Sequence, residues 1–153
     1  MHLKSLKARQ FKNFTEKDFD FSPKINAIVG QNGKGKTNVL DAVHYLALSK
    51  SYLNHSDSMN IQFDEEFFVL DGLFESSNGE EQIFCLVKKG QAKQLKKNGK
   101  QYDRLSDHIG QFPLVMISPY DSDLINEGSD VRRKFLDNII SQADKLYLQN
   151  LMR

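Results

Sequence analysis

The sequence predicts an α/β fold: a mixed sheet carrying an antiparallel β-subdomain, followed by the start of a helical unit. Three observations predict it. A nearly unbroken apolar run at residues 25–29 (INAIV) leads through a glycine-rich loop into apolar residues at helical spacing. Two later runs, FFVLDGLFE and QIFCLVKK, flank the glycine-containing turn SSNGEE. From Val131 onward an apolar stripe returns at intervals of three and four residues.

Taken in order, residues 1–9 and 18–21 read as short strands ahead of 25–29, whose continuous apolar character suits a strand buried on both faces. Val39, Leu40, Val43, His44, Leu46 and Ala47 then mark a helix from Lys36 to about Leu48. Residues 49–63 are polar and irregular. The two runs around SSNGEE form an antiparallel hairpin, and Asn98-Gly99 marks a second hairpin turn. PLVMIS, residues 113–118, is another buried-strand candidate, ended by Pro119. Ser129 is placed to cap a final helix, whose stripe is still running at Leu151 and Met152 with no Gly or Pro to stop it. The chain therefore reads as cut inside a helix.

With 39% hydrophobic and 27% charged residues, the 153-residue chain has enough apolar material for a real core. Its 21 basic residues nearly balance 20 acidic ones, so bulk charge neither supports nor excludes a polyanionic partner. Cys85 has no second cysteine for a disulfide or a metal pair, and reads as a small buried residue in a reducing compartment. The N-terminus lacks the apolar core of a signal peptide, and no stretch reaches membrane-spanning length. A cytoplasmic protein with no membrane partner is expected.

Gly30, Gln31, Asn32, Gly33, Lys34, Gly35, Lys36 and Thr37 fit the pattern Gly, four residues, Gly, Lys, then Ser or Thr. The glycines let backbone N–H groups turn inward toward phosphate oxygens, at angles a side chain forbids. Lys36 would reach the β and γ phosphates, Thr37 would give its hydroxyl to Mg²⁺, and the helix behind them would aim its positive end at the same anion. The preceding strand and following helix are the context this Walker A loop requires, so ATP with Mg²⁺ is the natural occupant.

Hydrolysis needs an acid after a parallel strand beside the loop strand. Asp71 ends FFVLD, but its hairpin ties that run into an antiparallel pair, which favours a hairpin residue. PLVMIS ends in Ser-Pro and offers no acid there, so the catalytic residues are unknown. Lys88, Lys89, Lys93, Lys96, Lys97 and Lys100 fit either a nucleic-acid backbone contact or protection of an exposed sheet edge, the second being favoured. His2, His44, His55 and His108 lack metal-ligand spacing and read as structural. Arg132 and Arg133 oppose the dipole in a first helical turn, which hints at a phosphate contact against the plainer reading of a solvated face.

FKNF at 11–14, INAIVGQNGKGKTNVLDAVHYLALSKSY at 25–52 and SPYDSDLINEGSDVRRKFLD at 118–137 together resemble the bacterial RecF family, in the SMC-like branch of the ABC ATPases. Asn38, directly after the Walker loop, narrows the likeness to the SMC-like group. The resemblance implies a P-loop ABC-type ATPase lobe at residues 1–128 and the start of a truncated helical lid domain at 129–153, with Lys12 and Asn13 near the nucleoside and Asp121 or Asp123 approaching the metal. The family usually has Arg at the position of Lys12, and Arg where Leu53 follows Ser51 and Tyr52. The resemblance also implies that the intact protein is a weak ATPase that dimerises on ATP and acts with RecO and RecR mediators at gapped or single-strand/double-strand junction DNA. This chain would then bind ATP without hydrolysing it. A competing reading is a small P-loop kinase or NTPase using Asp71 as its metal acid, and a third is a non-catalytic DNA-binding module working through the lysine run.

Overall fold

Apolar and polar residues alternate along most of the strands, and that alternation decides which face of the sheet is buried. In the computed structural model, which describes residues 1–77, 79–122 and 128–153, six strands form one sheet. They are β1 (His2–Phe11), β2 (Phe14–Asp20), β3 (Phe67–Ser76), β4 (Gly79–Lys88), β5 (Gln94–Lys97) and β6 (Lys100–Gln101), in the spatial order β2-β1-β3-β4-β5-β6. Every pairing among them is antiparallel. Leu6 and Ala8 of β1, Phe68 and Leu70 of β3, Ile83 and Cys85 of β4 and Leu95 of β5 are fully buried on one face. Helix α1 (Lys36–Leu48) lies on that face and adds Ala42, Tyr45 and Leu46 to the same core. Gly72 makes room for it, since a Cβ there would sit 2.5 Å from Leu46 Cδ1.

Helix α1 has the bounds its spacing predicts, and the β3–β4 hairpin pairs Ser76 with Gly79. Asn98 and Gly99 take φ of 50° and 80°, the two left-handed residues of a type I′ turn between β5 and β6. Two expected strands need correcting. Residues 25–29 and 113–118 carry no ladder; Ile25 and Val29 are each 87% exposed, Val115 75% and Ile117 82%. An apolar run reports a preference for burial, but a strand also needs a neighbour for its N–H and C=O groups. No strand among the described residues lies beside either run, so the parallel part of the expected mixed sheet has no counterpart there.

The C-terminal helix also differs from its forecast. Helix α2 (Ser129–Ala143) has Gly128, not Ser129, at its N-cap. It stops at Asp144, whose extended backbone breaks the helix and whose carboxylate accepts from the N–H groups of Leu146 and Tyr147. That cap starts a second helix, α3 (Lys145–Leu151), so the apolar stripe spans two helices. Gln142 holds α2 against the lobe, its amide pairing with both the N–H and the C=O of Leu114 at 2.9 and 3.2 Å. Among the described residues no helix is long and apolar enough to cross a membrane.

Candidate functional site

The glycine-rich loop runs from residue 30 into α1, and its glycines supply the backbone angles. Gly30, Gly33 and Gly35 take φ of 150°, 81° and 93°. Gly35 is itself the N-cap of α1, where no side chain caps the helix and no acidic residue occupies the first turn. The first N–H groups of α1 therefore keep both their donor capacity and the positive end of the helix dipole. Lys36 Nζ donates to Gly30 O at 2.8 Å, Gln31 O at 2.9 Å and the Asn32 side-chain oxygen at 3.3 Å. The loop's own oxygens hold the ammonium over it, and the oxygens of a phosphate are the same kind of acceptor. Thr37, on the first turn, is exposed to solvent.

The tight turn between β1 and β2 braces this loop. Phe14 lies so close under Gly35 that a Cβ on that glycine would stand 2.6 Å from Phe14 Cε1. Asn13 donates to Gly33 O at 3.2 Å, and Asn38 of α1 donates to Asn13 Oδ1 at 2.8 Å. Lys12 has a left-handed φ of 53° and directs its ammonium onto the fully buried carboxylate of Asp41, also on α1. Asp41 further accepts from Ser51 Oγ at 2.7 Å and from the Tyr52 N–H at 2.6 Å. At the far end of α1, Lys93 donates to the Ser49 carbonyl at 2.6 Å and pairs with Asp57 at 2.9 Å. A cation there complements the negative end of the helix. Burial, with Cys85 and Asp57 nearby, pushes the Tyr45 hydroxyl far above its ordinary pKa, so it stays protonated and donates to Asp57.

Residues 2–119 match the model of the RecF/RecN/SMC N terminal domain. The chain belongs to that family. It is 57% identical over its whole length to the DNA replication and repair protein RecF of Flavobacterium johnsoniae, and covers 43% of that protein. To the RecF of Phocaeicola vulgatus it is 53% identical, covering 42% of it. A solved structure of the recombination mediator protein RecF with ATP superposes with a TM-score of 0.93 at 34% identity, covering 98% of this chain and 40% of that one. The chain thus spans less than half the length of these RecF relatives.

Several residues singled out from the sequence find partners within the chain itself. Asp71 overturns the small-kinase reading. Leu70 and Gly72 face α1, so period-two alternation turns Asp71 to the opposite face, where it accepts two 2.9 Å bonds from Gln82 Nε2. Asp121 accepts from the N–H of Ser118 at 3.0 Å and from its hydroxyl at 3.3 Å, while its own N–H donates to Ser118 O. This resembles a capping box and engages both carboxylate oxygens. Asp123 lies outside the described residues. Lys12, expected near the nucleoside, is the partner of Asp41, with a side chain only 10% exposed. Within the lysine run, Lys89 pairs with Glu66, Lys93 with Asp57 and Lys97 with Glu81. His44 and His108 bond to the carbonyls of Lys50 and Leu46. Arg133 stays within its own helical turn, on Ser129 and Asp130.

Sequence reasoning missed Asp41, the residue that joins the turn, α1 and the Ser51–Tyr52 segment. Its signal was present: a carboxylate at a helix position flanked by the buried Ala42 and one turn before the buried Tyr45.

Proposed function

We propose that this chain binds ATP through Gly30, Gln31, Asn32, Gly33, Lys34, Gly35, Lys36 and Thr37, as the nucleotide-binding lobe of a RecF-type DNA replication and repair protein. The observation that carries the reading is the uncapped N-terminus of α1 beside a lysine ammonium held by the loop's own oxygens. The donor set fits a polyphosphate: glycine backbone at left-handed angles, one ammonium, and no carboxylate in the first helical turn. For Mg²⁺ the Thr37 hydroxyl is the one site ligand we assign, because Asp121 is committed to its cap. When bound, the nucleotide supplies a charged γ-phosphate; the chain's own residues hold and orient it.

The relatives support a wider role. Those proteins are named for DNA replication and repair, and the solved RecF–ATP structure is of a recombination mediator in the RecFOR pathway. Extending the family resemblance beyond those names, the intact protein would dimerise around ATP, engage gapped or junction DNA with RecO- and RecR-type partners, and work in the cytoplasm. Residues 1–128 would be its ATPase lobe and 129–153 the start of its helical lid.

Titration of the 153-residue chain with a fluorescent ATP analogue and Mg²⁺ tests the nucleotide reading. Removing one charged phosphate contact with Lys36→Ala costs about 1.5–3 kcal/mol, roughly a 10- to 150-fold loss of affinity. Binding unchanged by Lys36→Ala would refute the assignment of this loop.

A further inference from the structure

We infer that Asn38 is a positioning residue that acts through Asn13 to orient the peptide between Gly33 and Lys34 for phosphate binding. The inference rests on the proposed nucleotide role of the loop and assigns a task to two side chains that touch no phosphate in that proposal.

The direction of the relay is fixed by chemistry. Gly33 O can only accept, so Asn13 must turn its NH₂ toward it, at 3.2 Å. Asn13 then presents its oxygen to α1, and Asn38 must answer with its own NH₂, at 2.8 Å. An amide at both positions satisfies this chain; a carboxylate at either would set two acceptors face to face. The C=O and N–H of a trans peptide point in opposite directions. Holding the Gly33 carbonyl outward on Asn13 therefore keeps the Lys34 N–H inward, where it now makes a long 3.4 Å contact across the loop to Gln31 O. That weakly engaged donor is the kind a phosphate oxygen takes over.

The relay also needs the glycine after it. A Cβ on Gly35 would stand 2.8 Å from Asn13 Oδ1, so the amide fills space that any other residue at 35 would claim. The turn at residues 12–14 and the loop at 30–38 are thus locked by contacts between residues 25 apart in sequence.

Two readouts on the 153-residue chain test the inference. In the nucleotide-free state, Asn38→Ala should shift the backbone ¹H–¹⁵N resonances of Gly33 and Lys34 and the side-chain NH₂ of Asn13, while Asn38→Gln, which keeps the donor, moves them less. Spectra unchanged at those three groups in Asn38→Ala overturn the relay, whether or not nucleotide binds. In the titration with the fluorescent ATP analogue, Asn38→Ala and Asn13→Ala should each weaken binding about three- to tenfold, the loss expected for one neutral hydrogen bond. The double variant should be no weaker than the worse single, because one chain is broken in each case. Additive losses would mean independent roles and overturn the inference. A wild-type chain that binds no nucleotide while its resonances respond to Asn38→Ala would refute the nucleotide reading and leave the relay standing as a property of the loop.

Discussion

Gly35→Ala tests how closely the loop is built against the β1–β2 turn. Two penalties arise at this position. The backbone at φ 93° is left-handed, which costs an L-residue roughly 1–2 kcal/mol. The new methyl would also stand 2.6 and 2.8 Å from the Phe14 ring and 2.8 Å from Asn13 Oδ1, and Phe14 is only 5% exposed with little room to retreat. Overpacking of this kind costs about 1–3 kcal/mol, so the total is roughly 2–5 kcal/mol. Gly33→Ala is the internal control: φ is 81°, nothing lies within 4 Å of the added carbon, and only the strain remains. With an m-value of about 2 kcal/mol/M, the urea midpoint should fall by roughly 1–2.5 M for Gly35→Ala and by roughly 0.5–1 M for Gly33→Ala. In a Phe14→Leu background the cost of Gly35→Ala should drop part of the way toward that of Gly33→Ala, since two of the three close atoms belong to the ring. Equal midpoints for the two glycine variants would refute the close-approach argument.

Other consequences are equally direct. Lys12→Met leaves the buried Asp41 carboxylate without its cation and should lower stability by about 3–5 kcal/mol in urea unfolding, with part of the loss recovered when Asp41→Asn is added. Burial lowers the folded-state pKa of both His108 and His44, so the unfolded chain binds protons more readily than the folded one. Stability is therefore full above the unfolded value of about 6.5 and declines as pH falls below it, by at most about 1.4 kcal/mol per pH unit per histidine. Urea midpoints between pH 7.5 and 5 should show this slope, and His108→Gln should flatten it. Burial pushes the Cys85 thiol up to about 12, so a thiol-reactive dye at pH 8 should leave the folded chain unlabelled and label it fully in concentrated urea.

What the sequence made legible follows the range of the interactions that decide each element. Helix α1 and the hairpin turns rest on local signals, the spacing of Val39 through Ala47 and the left-handed tolerance of Asn98-Gly99, and both form as expected. The left-handed glycines of the loop at 30–37 were legible for the same reason, since the pattern occupies eight consecutive residues. Residues 25–29 failed as a strand because their apolar pattern says nothing about which strand lies beside them. The break at Asp144 was missed because Asp is tolerated inside a helix, and only its acceptance from Leu146 and Tyr147 makes it a cap. The Lys12–Asp41 pair was not legible, because the two residues lie 29 positions apart on different elements.

A match to a phosphate-loop pattern is therefore a statement about residue types, whereas the competence of the loop depends on contacts the pattern does not contain. Three consecutive turn residues each hold a different part of it: Lys12 fixes α1 through Asp41, Asn13 fixes the Gly33 carbonyl, and Phe14 fills the space beneath Gly35. These three contacts differ in kind, one ionic and buried, one an exposed hydrogen bond, one apolar, so they respond to different perturbations. Salt should leave the Lys12–Asp41 pair intact, because neither side chain is more than 10% exposed and screening acts mainly through solvent. The Asn13 bond, open to water, is the weakest of the three and the first to yield. The loop should then loosen at Gly33 while Gly35 and the start of α1 stay in place, and hydrogen exchange of the Lys34 amide should run ahead of that of Val39, whose N–H is bonded to Gly35 O at 3.1 Å. Exchange of the two amides at the same rate would mean that the loop and the helix start open as one unit, and that the turn braces them together rather than point by point.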